Sequence, residues 1–429
     1  MSDTIRLRGG GSLQGCLRVP GDKSISHRAL IFHALADGNA TIEGLLESED
    51  VRSTAACLKA LGVQYEGGRI EGRNGQLHAP ADVLDCGNSG TTIRLLMGLL
   101  AGQPITAKLT GDASLRSRPM QRVTDPLSRM GVEFIGDSLR PPIQMKGGGT
   151  RNIRYRSSVA SAQVKTALML AAVQSEGTLE FEEPSASRDH TERMFRAMGV
   201  EFVDEIAEDG THRIVLAGPQ RLHAQCIDVP GDVSSAAFFL VGASILPGSD
   251  LTIRNVGVNP TRSGVVQALK RMGANIEEVG LREVSGEPVA DLRVQKAALT
   301  STVIEGAEIP LLVDELPVLA VAAAHAEGTT IVRNAGELRV KESDRIEATA
   351  NIIRSMGADI EVRADGFSVH GRPRANYRNF EISAEGDHRI AMASCIAALA
   401  TSGVTTVHGA ESIRTSFPEF LPSLEALRG

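Results

Sequence analysis

The chain has 429 residues, of which 42% are hydrophobic and 23% charged, with a net charge of −7. That length exceeds what one hydrophobic core usually supports and predicts two domains. The acidic balance, without a basic run or an aromatic-interleaved basic patch, argues against a nucleic-acid binder. Cys16, Cys57, Cys86, Cys226 and Cys395 are scattered and lack C-x-x-C spacing, which argues for reduced thiols and against disulfides or a zinc site. Residues 1–6 carry no apolar signal segment, and no apolar run is long enough to span a bilayer. The expectation is a soluble, cytoplasmic protein with no membrane partner.

The first informative stretch is Val19-Pro20-Gly21-Asp22-Lys23-Ser24-Ile25-Ser26-His27-Arg28. Pro and Gly break a strand, Asp22 or Ser24 can cap, and Ala29-Leu30-Ile31-Phe32 continues as an apolar helix. Free N–H groups at this start, with Lys23 and Arg28, make an anion site; a capped helix with solvated charges is the plainer alternative. Val229-Pro230-Gly231-Asp232-Val233-Ser234-Ser235 repeats the turn without the Lys and Arg. The two copies suggest a duplicated fold with its site built on the charged one.

A finer repeat runs through both halves. Helices ending in Leu/Met-Gly precede strands at Gly62, Gly131, Gly199, Gly273 and Gly357, and the chain closes on Leu427-Arg428-Gly429. These glycines are 69, 68, 74, 84 and 72 residues apart, which makes six units. Each such helix is amphipathic and the glycine is its expected C-cap. A second helix type, apolar nearly all round, begins near Ser24, Ser89, Ser161, Ser234, Asp314 and His388. With short alternating strands between them, each unit reads as βαβαββ, an α/β arrangement with three units per domain. The crossings fall at the VPGD turns, giving a first domain of 20–230. The second domain comprises 1–19 and 231–429, completed by the N-terminal segment.

Polar residues concentrate at the helix starts. After Lys23 and Arg28 comes Asp85-Cys86-Gly87-Asn88-Ser89-Gly90-Thr91-Thr92, a Gly-rich turn suited to a carboxylate or phosphate but lacking the P-loop pattern. Arg118 and Arg122, four apart, would repel on a helix unless an anion or carboxylate sits between them. Ser157 to Lys165 offers hydroxyls, the Gln163 amide and an ammonium. Ser187-Arg188-Asp189-His190-Thr191-Glu192 resembles a capping box, with Ser187 or Asp189 as the cap and Arg188 left over. In the second half Asp314 opens a buried helix and reads either as its N-cap or as an acid/base. Lys341 and Arg345 repeat the like-charge i,i+4 spacing, with Glu342 able to pair with Arg345, and Asp387-His388-Arg389 opens the last buried helix. So many cations at helix starts, each start adding roughly 0.3–1 kcal/mol toward an anion, want a pair of ligands carrying phosphate and carboxylate groups. Carboxylates among them serve as general acid or base.

These motifs resemble the 5-enolpyruvylshikimate-3-phosphate synthase family of enolpyruvyl transferases. The match runs in order through residues 20–28, Gly87-Asn88-Ser89-Gly90-Thr91-Thr92, Arg118-Pro119-Met120, Ser161-Ala162-Gln163, residues 339–345, Asp387-His388-Arg389 and Ser416-Phe417-Pro418. Ala162 stands where many members have a second Ser, and Thr415 where some have a Lys. The resemblance implies a two-domain inverse α/β barrel of six βαβαββ units with the active site in the cleft between domains. It implies a transferase that moves the enolpyruvyl group of phosphoenolpyruvate to the 5-hydroxyl of shikimate 3-phosphate by addition–elimination, releasing phosphate, on the route to chorismate and aromatic amino acids. No metal or organic cofactor is implied.

By position, Asp314, Glu342 and Lys23 correspond to the acid/base groups. Lys23, Ser24, Arg28, Ser161, Gln163, Arg188, Asp314 and Lys341 correspond to contacts of shikimate 3-phosphate. Lys23, Gly90, Arg118, Gln163, Arg345 and Arg389 correspond to the phosphoenolpyruvate clamp, and Gly90 keeps the small residue associated with the inhibitor glyphosate. A monomer acting on small molecules is expected. The sister enzyme acting on UDP-N-acetylglucosamine would have Lys-Asn where Lys23-Ser24 stands and a loop Cys absent from residues 111–116. A non-catalytic anion-binding scaffold would gain nothing from Asp314 and Glu342.

Overall fold

The computed structural model describes residues 3–136, 139–373 and 376–429. Contacts divide the chain into two units. The amino-terminal unit is Gly21–Val229 with Val284–Glu287, and the carboxy-terminal unit is the chain up to Pro20, Pro230–Glu283 and Pro288–Gly429. Residues 284–287, expected in the second half from the VPGD turns, depart from that division. They group with the first because Glu287 bonds His190 Nδ1 at 2.7 Å and Ser285 Oγ accepts the Asp228 N–H at 3.0 Å.

Within a unit the repeat is built the same way each time. The strand before a buried helix lies at a sheet edge, parallel to the strand after it; that second strand pairs antiparallel with the last strand of the repeat, and the third strand closes the other edge. Two sheets take their first strand from elsewhere in the sequence. Ile227–Asp228 pairs with Asn39–Glu43 in the amino-terminal unit, and Gln14–Arg18 pairs with Asp250–Gly257 in the carboxy-terminal one. The sixth repeat is shorter: Glu381–Ser383 and Val404–His408 are joined by Thr4–Arg8 from the chain start.

The buried helices are Lys23–Leu35, Gly90–Ala101 and Ala162–Val173 in one unit, and Val233–Ile245, Leu316–Ala324 and His388–Leu399 in the other. Their starts are fixed locally. Asp22 accepts the Ile25 N–H at 2.9 Å, Ser89 the Thr92 N–H at 3.1 Å and Asp387 the Arg389 N–H at 2.9 Å. Small residues let the helices approach: a methyl on Gly98 would sit 2.4 Å from the Ala167 carbonyl oxygen. The two units have separate apolar cores. Phe417, part of the Ser-Phe-Pro motif, is a core residue packed against Phe239 and Phe420, worth about 3–5 kcal/mol if truncated to Ala. Among the described residues no helix is long and apolar enough to cross a membrane.

Candidate functional site

In the amino-terminal unit, hydrogen bonds tie the three buried-helix starts together at one end. Arg28 donates to the Ser24 carbonyl at 3.0 Å, to Thr166 Oγ1 at 2.8 Å and to Thr191 Oγ1 at 2.8 Å. It is buried, which lowers its pKa to about 10, so it stitches helices together rather than standing exposed. The Thr54 hydroxyl joins His27 Nδ1 and Thr92 Oγ1, each at 2.7 Å. Burial, with Lys23 and Arg28 nearby, depresses His27 to about 3 and keeps it neutral in ordinary buffers. Lys23 pairs with Asp50 at 3.2 Å. Gln163 donates to Thr91 Oγ1 at 2.9 Å and accepts from Arg94 at 2.8 Å. Arg118 donates to Asn88 Oδ1 at 2.8 Å, which brings it beside Gly90. Lys23, Ser24, Gly90, Arg118, Ser161 and Gln163 therefore belong to one polar end of this unit. Arg188 precedes the helix His190–Ala197 and lies close enough to act electrostatically on Arg28.

The carboxy-terminal unit has a denser ion cluster. The buried Arg345 guanidinium reaches Asp314 at 3.2 Å with one Nη, Glu342 at 2.5 Å with the other, and Asp387 at 2.7 Å through Nε. Desolvation opposes its charge, but these three carboxylates outweigh it and hold the guanidinium firmly protonated. Asp314 also has Lys341 at 3.7 Å, Arg262 at 3.9 Å and Arg389 at 4.0 Å. Glu315, fully buried, accepts from Arg262 at 3.3 Å, from Arg389 at 3.5 Å and from Ser234 Oγ. Candidate acids and candidate anion clamps are thus interleaved, each carboxylate fixed by the cation beside it.

Several local readings change. Arg118 ends the short helix Ala113–Ser117 while Arg122 lies in Gln121–Met130, so they do not share a helix face. Likewise Lys341 follows a 3-10 turn, Gly336–Val340, and Arg345 begins the next helix behind its Asp344 cap. Asp314 is no N-cap; it lies in the 3-10 turn Val313–Glu315, and the helix Leu316–Ala324 starts behind Glu315. The Ser187–Glu192 stretch forms no capping box: Asp189 stands at the N-cap without a side-chain cap bond, Ser187 turns to Glu183 and Glu192 to Lys165. Nor does the second VPGD turn lack charge: Arg262, 28 residues beyond, donates to Ser234 Oγ and pairs with Asp232 at 3.4 Å. Asp50, Arg94, Arg262 and Glu315 are the residues that motif reading left out. For Arg262 the signal was Asn259-Pro260-Thr261-Arg262, a turn closed by Asn259 Oδ1 accepting the Thr261 N–H at 2.9 Å.

Beneath the Ser161 start lies a buried network. Lys165, with no exposed surface, pairs with Glu183 at 3.0 Å and Glu192 at 2.6 Å. His212 bridges Glu183 at 2.9 Å and Asp204 at 2.7 Å, and Arg196 in turn pairs with Asp204 at 2.6 Å. Burial and Lys165 disfavour a proton on His212, yet the two carboxylates prevail and raise it from 6.5 to about 9. The unfolded chain releases that proton first. His212 therefore contributes stability that is complete below about pH 6.5 and is lost as pH rises through 9. After allowing for solvent access at Asp204, the expected loss is on the order of 1–2 kcal/mol. Urea unfolding at about pH 6 and about pH 9.5 should show it, and His212→Gln should flatten the slope. An equal slope in the variant would remove His212 from this account.

Among the described residues no group of His, Cys, Asp and Glu could hold a metal ion. A family model described as EPSP synthase (3-phosphoshikimate 1-carboxyvinyltransferase) matches residues 7–424. A 3-phosphoshikimate 1-carboxyvinyltransferase from Synechococcus sp. (strain JA-3-3Ab) is 49% identical, covering 99% of this chain and 97% of that protein. One from Synechococcus elongatus is 51% identical, over 98% and 95%. Among solved structures, an EPSP synthase from Acinetobacter baumannii superposes with a TM-score of 0.87 at 41% identity, over 99% and 98% of the two chains. The enolpyruvyl transferase NikO from Streptomyces tendae, 20% identical over 99% and 97%, shares the fold with a TM-score of 0.79.

Proposed function

Since the chain belongs to the EPSP synthase family, we propose that it is a 3-phosphoshikimate 1-carboxyvinyltransferase, converting phosphoenolpyruvate and shikimate 3-phosphate to 5-enolpyruvylshikimate 3-phosphate and phosphate. The observation that carries the reading is the Arg345 fork, which holds Asp314 on one arm and Glu342 on the other amid Lys341, Arg262 and Arg389. A pure phosphate binder gains nothing from carboxylates so placed. An addition–elimination needs them.

In the addition, the acceptor 5-oxygen bonds to C2 of phosphoenolpyruvate, its proton leaves to a base, and C3 gains a proton to become a methyl group. In the elimination, the methyl returns a proton, the C2–O bond to phosphate breaks and phosphate departs. Asp314, Glu342 and Lys23 serve these proton transfers. Lys23, Ser24, Arg28, Ser161, Gln163, Arg188, Asp314 and Lys341 hold the acceptor, with Arg28 acting from its buried position between helices. Lys23, Gly90, Arg118, Gln163, Arg345 and Arg389 hold phosphoenolpyruvate. Fixing two mutually repelling anions supplies orientation and screens the charge that opposes attack. On this reading the amino-terminal unit is the acceptor side, and the carboxy-terminal unit the acid/base and phosphoenolpyruvate side. The enzyme works as a cytoplasmic monomer, without nucleic-acid or membrane partners.

The deciding assay is phosphate release from phosphoenolpyruvate with shikimate 3-phosphate or UDP-N-acetylglucosamine as acceptor. Release with the first alone is expected; release with the nucleotide sugar, or none, overturns the reading. Glyphosate should compete with phosphoenolpyruvate. A methyl on Gly90 would lie 3.0 Å from an Arg94 nitrogen and 3.3 Å from an Arg118 nitrogen, both at the far ends of long side chains that can shift by a few tenths of an ångström. Gly90→Ala should therefore fold normally, raise the KM for phosphoenolpyruvate several-fold (on the order of 3–10) and weaken glyphosate inhibition more than that. Unchanged inhibition would disconnect Gly90 from the phosphoenolpyruvate site.

A further inference from the structure

We propose that Glu183 is a positioning residue for the phosphorylated acceptor: its buried carboxylate holds the Ser161 start and the Ser187–Arg188 loop in register with each other. The inference rests on the functional reading above and concerns a residue outside every motif that carried it.

Glu183 is the last residue of the strand Gly177–Glu183, and its side chain has no exposed surface. Oε2 accepts the Ser161 N–H at 3.0 Å. Oε1 accepts the Ser187 N–H at 3.0 Å, the Ser187 hydroxyl at 2.8 Å and the Lys165 ammonium at 3.0 Å, and contacts His212 Nδ1 at 2.9 Å. One carboxylate thus holds two backbone segments 26 residues apart, and each contains residues assigned to the acceptor: Ser161 and Gln163 on one, Arg188 on the other. Ser161 makes no side-chain cap bond to its own helix, so Glu183, not a local cap, fixes the backbone there. Lys165 repeats the link by donating to the Ser187 carbonyl at 3.2 Å.

The position requires a carboxylate. Burial resists the charge, but Lys165, His212 and Ser187 hold Glu183 ionised, down to about 2. An amide would turn a donor toward Lys165 or His212 on one side, or toward the Ser161 amide on the other. Glu192 cannot take over, because it already faces Lys165 and suffers its own desolvation. Loss of the anion would release both segments at once, and acceptor affinity depends on their mutual spacing.

The test is Glu183→Gln, with Ser187→Ala as a variant that deletes one hydroxyl contact only. In folded Glu183→Gln the KM for shikimate 3-phosphate should rise about tenfold or more, with kcat and the KM for phosphoenolpyruvate within about threefold. Amide exchange at Ser161 and Ser187 should quicken in the ligand-free protein. Ser187→Ala should raise the same KM a few-fold. An unshifted KM in folded Glu183→Gln overturns the proposal, as does a KM rise with unchanged exchange at both amides. Should Glu183→Gln fail to fold, an unshifted KM in Ser187→Ala overturns it. The wild type run alongside separates the two readings. Without turnover on shikimate 3-phosphate the function itself falls, and this inference with it. Wild-type turnover with unshifted variants sinks the inference alone.

Discussion

Asp314→Asn should lower kcat by roughly 10²–10⁴ while leaving shikimate 3-phosphate binding within about threefold of the wild type. Asn keeps the shape and can still accept the Arg345 hydrogen bond of 3.2 Å. It cannot carry a proton between hydroxyl, methylene and solvent. It also removes one negative charge from a site where four cations lie within 4.0 Å of the carboxylate. The field that remains is more positive, so anionic ligands bind at least as well, and the loss falls on turnover. Phosphate-release kinetics and calorimetric binding of shikimate 3-phosphate separate the two effects. A kcat within about threefold of the wild type would take Asp314 out of the proton transfers. A parallel loss of binding would make it a structural partner of Arg345. Glu342→Gln provides the internal comparison. Because both acids hang on one guanidinium, the double variant should lose much less than the product of the single losses.

What the sequence revealed and what it hid divide along contact range. The six-fold repeat was legible because its marks are local. Gly62, Gly131, Gly199, Gly273 and Gly357 all take positive φ, between 86° and 111°, where a side chain is strained. The buried-helix starts were legible for the same reason, through caps such as Asp22 and Ser89. Misreadings arose where regular spacing was assumed across a break. Lys341 and Arg345 are four apart in sequence, but a 3-10 turn ends before the second helix begins, so the like charges never share a face. Asp314 alone reads more readily as a cap; its place in a 3-10 turn decides against that, and its pairing with Arg345, 31 residues away, emerges only in the fold.

The omissions are long-range. Arg262 completes the second VPGD turn from 28 residues downstream, and Glu315 meets Ser234 across 81 residues. No periodicity carries such information. The exchanged strand Ile227–Asp228 is two residues long, too short for alternation to register, so its pairing with Asn39–Glu43 emerges only in the fold. Roles for individual residues came from family resemblance, whereas the geometry supplies what resemblance lacked: which cation holds which acid.

Arg345 tests that last point most severely. Arg345→Met should destabilise the carboxy-terminal unit by about 3–5 kcal/mol at neutral pH, because removing one partner strands buried carboxylates without compensation. Asp387 has no exposed surface, and Asp314 and Glu342 are mostly covered at 15% and 21%. Arg345→Lys should recover part of the stability and little of the activity. An ammonium restores charge at one point but cannot span Asp314, Glu342 and Asp387 at once, so the acids lose their spacing. The pH dependence has a definite sign. In the wild type Arg345, working against desolvation, lowers the Asp387 pKa below 3.8, so its stabilisation is present above that value and is lost only as pH falls through the lower folded value. In Arg345→Met the same carboxylate is buried with no cation paired to it, and its folded pKa rises above the unfolded one. Protonation then stabilises the variant as pH falls, and the gap to wild type narrows. Denaturant unfolding at about pH 7.5 and about pH 5 should therefore give the larger difference at the higher pH. A pH-independent gap would mean that lost packing, not stranded charge, accounts for the cost. A gap under about 1 kcal/mol at both values would mean that the three carboxylates do not depend on Arg345.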